Sequence, residues 1–154
     1  MTNNDILKKL RYAFDFSDSK MIEIFGLADY TVDRSMVSNW LKPEEDPEYK
    51  NLPDKQLALF LNGLIYKNRG KQESKPPMPV ETNLDNNIIL KKIKIALSLT
   101  TDDILDLFDM VDLTVSPHEL SAFLRNPKQP QFRKCKDQYL RNLLYGIQEK
   151  YRPS

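Results

Sequence analysis

Five cations fall between Arg125 and Lys136: Arg125, Lys128, Arg133, Lys134 and Lys136, with Phe132 among them and Asp137 closing the run. Positive charge at this density could clamp a nucleic-acid backbone or pair with an acidic protein surface. A second stretch with possible chemistry runs from Thr31 to Leu41 and resembles the turn and recognition helix of a helix-turn-helix, with Met21 to Ala28 as its supporting helix. Val32, Val37 and Trp40 would hold the two helices together. Arg34, Ser35, Ser38 and Asn39 would point outward, where such side chains can read base edges or phosphates. Thr114 to Leu124 repeats the pattern, with Leu120, Phe123 and Leu124 as the apolar face.

Three features count against nucleic-acid reading by these helices. The turns carry Thr31 and Thr114 where such motifs usually have glycine. Asp33, Glu44, Glu45, Asp46 and Glu48 surround the first unit with negative charge. Pro117, Glu119 and Ala122 are poor readers at the positions expected to be exposed in the second. A helix pair used for packing is therefore the expected role.

Catalytic readings have less support. His118 has Glu119 beside it at a polar helix start, which suits a solvated surface histidine. Cys135 lies among Arg133, Lys134 and Lys136, which could lower its pKa, yet no second cysteine or partner base accompanies it. Asp102, Asp103, Asp106 and Asp109 suggest a cation site, but aspartates at a helix start are explained by capping and the helix dipole.

The elements that position these residues come in duplicate. Shifting the chain by 83 residues lays Asn3–Arg69 on Asn86–Arg152 without a gap, with 20 identities in 67 positions. They include Asn3/Asn86, Asn4/Asn87, Lys8/Lys91, Lys9/Lys92, Asp29/Asp112, Asp54/Asp137 and Gly63/Gly146. A gapless match of this length indicates tandem duplication. Residues 1–69 form the first repeat, 70–85 a Pro-containing linker and 86–154 the second. Each repeat reads as four helices by apolar spacing, and nothing alternates with period two for long enough to argue a sheet. The fold class is all-α, a tandem duplication of a four-helix repeat containing a helix-turn-helix-like pair.

In the first repeat, helices are expected near Asn4–Phe14, capped by Asn3 or Asn4, near Asp18–Leu27, from Asp33 and from Asp54. In the second, Thr100 with Asp103 resembles a capping box, and Ser116 with Pro117 and Glu119 signals another helix start. Gly63 and Gly146 sit inside the last helices, where close helix packing is the expected reason. Lys75-Pro76-Pro77-Met78-Pro79 favours extended backbone, so the linker permits docked or separated repeats.

Composition narrows the functions. The 154 residues carry 23 Lys plus Arg against 22 Asp plus Glu, so no strongly basic domain exists as a whole. The charge is uneven: the first repeat has 10 basic and 11 acidic residues, the second 11 and 8. The basic loop of the second repeat corresponds to an acidic one in the first, Glu44, Glu45, Asp46 and Glu48. One His and one Cys exclude most His/Cys metal sites, and four Gly leave little for phosphate-cradling loops. No bilayer-spanning run or signal peptide is visible, and a lone thiol suits a reducing compartment. A cytoplasmic location is expected.

The strings Asn4-Asp5-Ile6-Leu7-Lys8-Lys9-Leu10-Arg11-Tyr12-Ala13, Val37-Ser38-Asn39-Trp40-Leu41-Lys42 and Ala58-Leu59-Phe60-Leu61-Asn62-Gly63-Leu64-Ile65 resemble the YehS-like family of small bacterial proteins. That resemblance implies a duplicated domain of unknown function in a bacterial cytosolic setting, with no activity, cofactor or catalytic residue to carry over. The expected function is a non-enzymatic helical binding or interaction module, with a protein partner or self-association and no cofactor. The alternative is a nucleic-acid-binding protein using the helix-turn-helix-like units and the basic loop. The two repeats, each near the size where a lone core is marginal, are expected to pack together or with another chain.

Overall fold

Short polar side chains set the starts of most helices. In the computed structural model, which describes residues 1–152, α1 (Asn3–Phe14) is capped by Thr2. The Thr2 hydroxyl accepts from the Asp5 amide while the Asp5 carboxylate accepts from the Thr2 amide. This capping box corrects the expected cap: Asn3 and Asn4 lie inside the helix and serve elsewhere. Ser17 caps α2 (Asp18–Leu27) and Asp33 caps α3 (Arg34–Leu41), while α4 (Asp54–Arg69) follows Pro53 without a side-chain cap.

The second repeat follows the same plan. Asp85 caps α5 (Asn86–Ala96), and Thr100 with Asp103 forms the expected capping box of α6 (Thr101–Asp109). Ser116 caps α7 (Pro117–Leu124), whose first residue is the proline, and α8 (Asp137–Tyr151) closes the described chain. Among the described residues every regular element is a helix. The tight turns sit on matched positions. Asp15 and Ser98 adopt φ 53° and 51° after the first helix of each repeat, and Asp29 and Asp112 both adopt φ 60° after the second. The left-handed residue of the α2–α3 turn is thus Asp29, two positions before Thr31, where helix-turn-helix motifs usually have glycine. Aspartate tolerates this region better than most residues.

Within each repeat the last helix is the axis of packing. Gly63 of α4 and Gly146 of α8 let it approach its neighbour, since an added Cβ would collide with the carbonyl of Ile24 in α2 or Leu107 in α6. Phe25 lies at the centre of the first core, with ring centroids 5.4 Å from Trp40 and 5.2 Å from Phe60. Phe123 and Tyr139, 4.9 Å apart, are among the aromatics of the second.

The repeats dock reciprocally. α5 packs along α4, and α1 packs along α8, in each case more extensively than a first helix touches the last helix of its own repeat. Exchanging the copies leaves this pattern unchanged, as in an approximate two-fold. The buried residues of both repeats consequently form one continuous core. The contacts along the seam obey the same exchange. The Leu84 amide donates to Asp54 at 2.9 Å and the Met1 amine to Asp137 at 3.2 Å. Arg69 meets Ser98, and its counterpart Arg152 meets Asp15. The linker lies on the first repeat: Tyr66 Oη accepts from the Met78 amide, and Asn62 donates to the Pro79 carbonyl.

Candidate functional site

The most concentrated set of unpaired charges lies on the loop between α7 and α8, and duplicated polar residues hold that loop in place. Asn87 is buried in α5. Its Nδ2 donates to the Phe123 carbonyl at 3.0 Å and the Arg133 carbonyl at 2.8 Å, and its Oδ1 accepts from the Cys135 amide at 3.0 Å. Asn86 donates to the Cys135 carbonyl and to Asp137, and Lys91 donates to the Arg125 carbonyl. In the first repeat Asn4, Asn3 and Lys8 make the same bonds to the α3–α4 loop: to Trp40, Lys50 and Leu52, to Leu52 and Asp54, and to Lys42. These identities are explained by the fastening of a loop.

Held this way, the second loop turns its cations outward. Lys128, Arg133, Lys134 and Lys136 are exposed and Arg125 is half-buried. None of the five takes part in an ion pair among the described residues. Arg125 and Arg133 line a cleft of about 520 Å³ with Ser116, His118, Ala122 and Phe132. Arg133, Lys134 and Lys136 border a second cleft of about 360 Å³ beside Phe123 and Tyr139. Glu119 borders both, and accepts from Tyr139 Oη at 3.1 Å. That bond, followed by desolvation, raises the Tyr139 hydroxyl above its usual pKa. Ala122, expected to be exposed, is buried and forms part of the cleft wall.

The helix-turn-helix-like candidates of the first repeat are placed differently. Val32, Val37 and Trp40 are buried as expected. Arg34 and Ser35 are exposed on α3, while Ser38 and Asn39 are half-buried. Asn39 Oδ1 accepts from Lys42 Nζ at 2.8 Å, and the same ammonium pairs with Glu48, so Asn39 is engaged within its own loop. No ion pair joins the acidic loop of the first repeat to the basic loop of the second among the described residues.

Cys135 corrects the expectation drawn from its basic neighbours. It is buried where the first repeat has Leu52, and desolvation, reinforced by Asp137 and Asp85, pushes its thiol up to about 12. It behaves as a small core residue. Asp103 is spent on the α6 capping box, where bonds from Thr100 hold its carboxyl below the usual value. Among the described residues no cluster of three or more His, Cys, Asp or Glu could hold a metal ion. No helix there is long and apolar enough to cross a membrane.

In the sequence Lys92 is marked only by its identity with Lys9 across the repeats. It is buried between the repeats, where its Nζ donates to Asn62 Oδ1 at 2.6 Å and lies 3.0 Å from Glu81 of the linker.

A duplicated all-helical fold with reciprocal docking, one charged loop per repeat and polar identities spent on fastening those loops defines the class of this protein. The chain belongs to the family described as protein of unknown function (DUF1456), whose model matches residues 3–70 and 86–152. It is 40% identical over 147 residues to the uncharacterized protein YehS of Escherichia coli (strain K12), an alignment covering 96% of this chain and 94% of that protein. The YehS-like resemblance is thereby borne out. No solved structure matches.

Proposed function

We propose that the protein is a non-enzymatic interaction module whose contact surface is the basic loop of the second repeat. It binds an acidic protein surface, which includes the acidic loop of a second copy. The observation that carries this reading is the set of five cations, Arg125, Lys128, Arg133, Lys134 and Lys136, displayed without a carboxylate partner on a loop fixed by Asn86, Asn87 and Lys91. A rigid, unneutralised patch steers acidic partners and selects against basic ones. The reading places the module in the cytoplasm, where a single thiol stays reduced.

A second reading, binding of a nucleic-acid backbone, rests on the same cations around Phe132. Two experiments separate them. Sizing chromatography at low and high salt reads self-association, and a pull-down on an acidic polypeptide column reads partner binding. Both should fall in Arg133→Glu/Lys134→Glu. Retention on DNA at about 0.15 M salt, lost steeply as salt rises, would favour the second reading. Unchanged behaviour of the double variant in every assay would remove both.

A further inference from the structure

Arg125 holds the place in the second repeat that Lys42 holds in the first. Both backbones are fastened alike: the Lys42 carbonyl accepts from Lys8 at 3.0 Å and the Arg125 carbonyl from Lys91 at 3.1 Å. The fates of the two side chains differ. Lys42 Nζ is bonded to Asn39 and paired with Glu48. At the equivalent positions the second repeat has Ala122 and Gln131. Arg125 therefore lacks both partners of its counterpart, and its Nε is a buried donor with no acceptor. Ala122 and Gln131 instead line the cleft of about 520 Å³ that Arg125 shares with His118 and Arg133.

A buried guanidinium N–H without an acceptor is costly, and an acceptor brought from outside removes that cost. The first repeat shows what chemistry this position takes, because there a carboxylate sits on the cation. We propose that the cleft over Arg125 is a carboxylate-binding site, and that it receives an acidic side chain of a partner peptide in the place Glu48 fills in the first repeat. The planar fork of Arg125 matches a carboxylate better than an ammonium would, and Arg133 adds charge at the rim. Glu119 is the one carboxylate bordering the cleft, and its bond to Tyr139 turns it to that use. Gln131 is in the left-handed region at φ 69°, a backbone conformation that its counterpart Glu48 does not adopt.

The test uses the full chain and a blocked peptide with the sequence of residues 43–49, which carries four carboxylates. The readout is the Nε–H resonance of Arg125 in a nitrogen-edited NMR spectrum. The expected result is a saturable shift at one peptide per chain, weakened as salt rises. Gln131→Glu supplies a carboxylate in cis and should weaken peptide binding about tenfold, with the loop otherwise intact. Arg125→Gln, which lacks that resonance and is followed instead by calorimetric titration of the same peptide beside the unsubstituted chain, should abolish binding. The proposal is overturned by a flat titration, by unchanged affinity in Gln131→Glu, or by inorganic phosphate or a DNA oligonucleotide saturating the resonance at lower concentration than the peptide. It rests on the interaction-module reading for its location. Peptide binding lost in Arg133→Glu/Lys134→Glu but untouched in Gln131→Glu would leave that reading standing and overturn this one.

Discussion

Lys92 donates to Asn62 across the seam between the repeats at 2.6 Å, and at the exchanged position Lys9 sits 4.3 Å over the ring of Tyr145. The same lysine thus reaches for the other repeat's last helix twice and finds a buried amide once and an aromatic face once. Removing Lys92 strands the Asn62 oxygen, which costs about 1–3 kcal/mol. Removing Lys9 loses a cation–π contact worth about 0.5–1 kcal/mol at a partly exposed site. Urea unfolding should show Lys92→Met shifting the midpoint more than Lys9→Met, and equal shifts would contradict the buried role.

The helical glycines should part ways when replaced by alanine. Gly63→Ala drives a methyl group into the Ile24 carbonyl, so overpacking of about 1–3 kcal/mol outweighs a propensity gain of about 1 kcal/mol. Gly146→Ala meets Leu107 and should behave alike. Gly26 faces open space, and Gly26→Ala should raise the thermal midpoint.

Asn87→Ala leaves the Phe123 carbonyl at the end of α7 and a carbonyl and an amide of the basic loop without their partner, a loss on the order of 3 kcal/mol. Hydrogen exchange gives the local signature. Amides from 125 to 136 should exchange faster in Asn87→Ala, and those from 42 to 52 in Asn4→Ala.

The Cys135 thiol is held neutral by burial, with its pKa pushed up to about 12 from 9.0. At pH 8 a thiol reagent should modify the folded protein at least about a hundredfold more slowly than the urea-unfolded chain. The folded state binds this proton more tightly than the unfolded state, so its stabilising effect is fully present below pH 9 and declines as pH rises from 9 toward 12. Cys135→Val should remove that part of the alkaline slope.

Asp103 and Asp137 act on the other side of neutrality. Hydrogen bonds from Thr100 lower the first and a hydrogen bond from Asn86, then the Met1 amine, the second. Their contribution is present above the ordinary aspartate value and is lost as pH falls through the depressed one. Asp103→Asn and Asp137→Asn should each flatten the acid limb of a stability–pH curve.

The duplication, the all-helical class and the starts of α2, α4, α6 and α7 were legible in the sequence, because caps and apolar spacing are local signals. The reason for Gly63 was also legible, since few things justify glycine inside a long apolar helix. The role of Asn4 was not: its partners are the carbonyls of Trp40 and Lys50 and the amide of Leu52, brought to it only by folding. Asn4 therefore looked like a cap. The same holds for Cys135, whose neighbours in sequence are cations but whose surroundings in space are apolar. The lack of a carboxylate partner for Arg125 follows from the Lys42–Glu48 pair of the first repeat, a contact made only on folding, and from Gln131 at the position equivalent to Glu48.

The reciprocal docking of α1 on α8 and α5 on α4 has the form of a symmetric dimer written on a single chain. In a dimer of identical subunits every substitution appears at both related loops, so an acidic loop on one half and a basic loop on the other is forbidden by symmetry. Residues 70–85 lift that constraint by making the two halves separately mutable. The protein keeps the shared core that two subunits would have, and is free to carry opposite charge on its two equivalent loops.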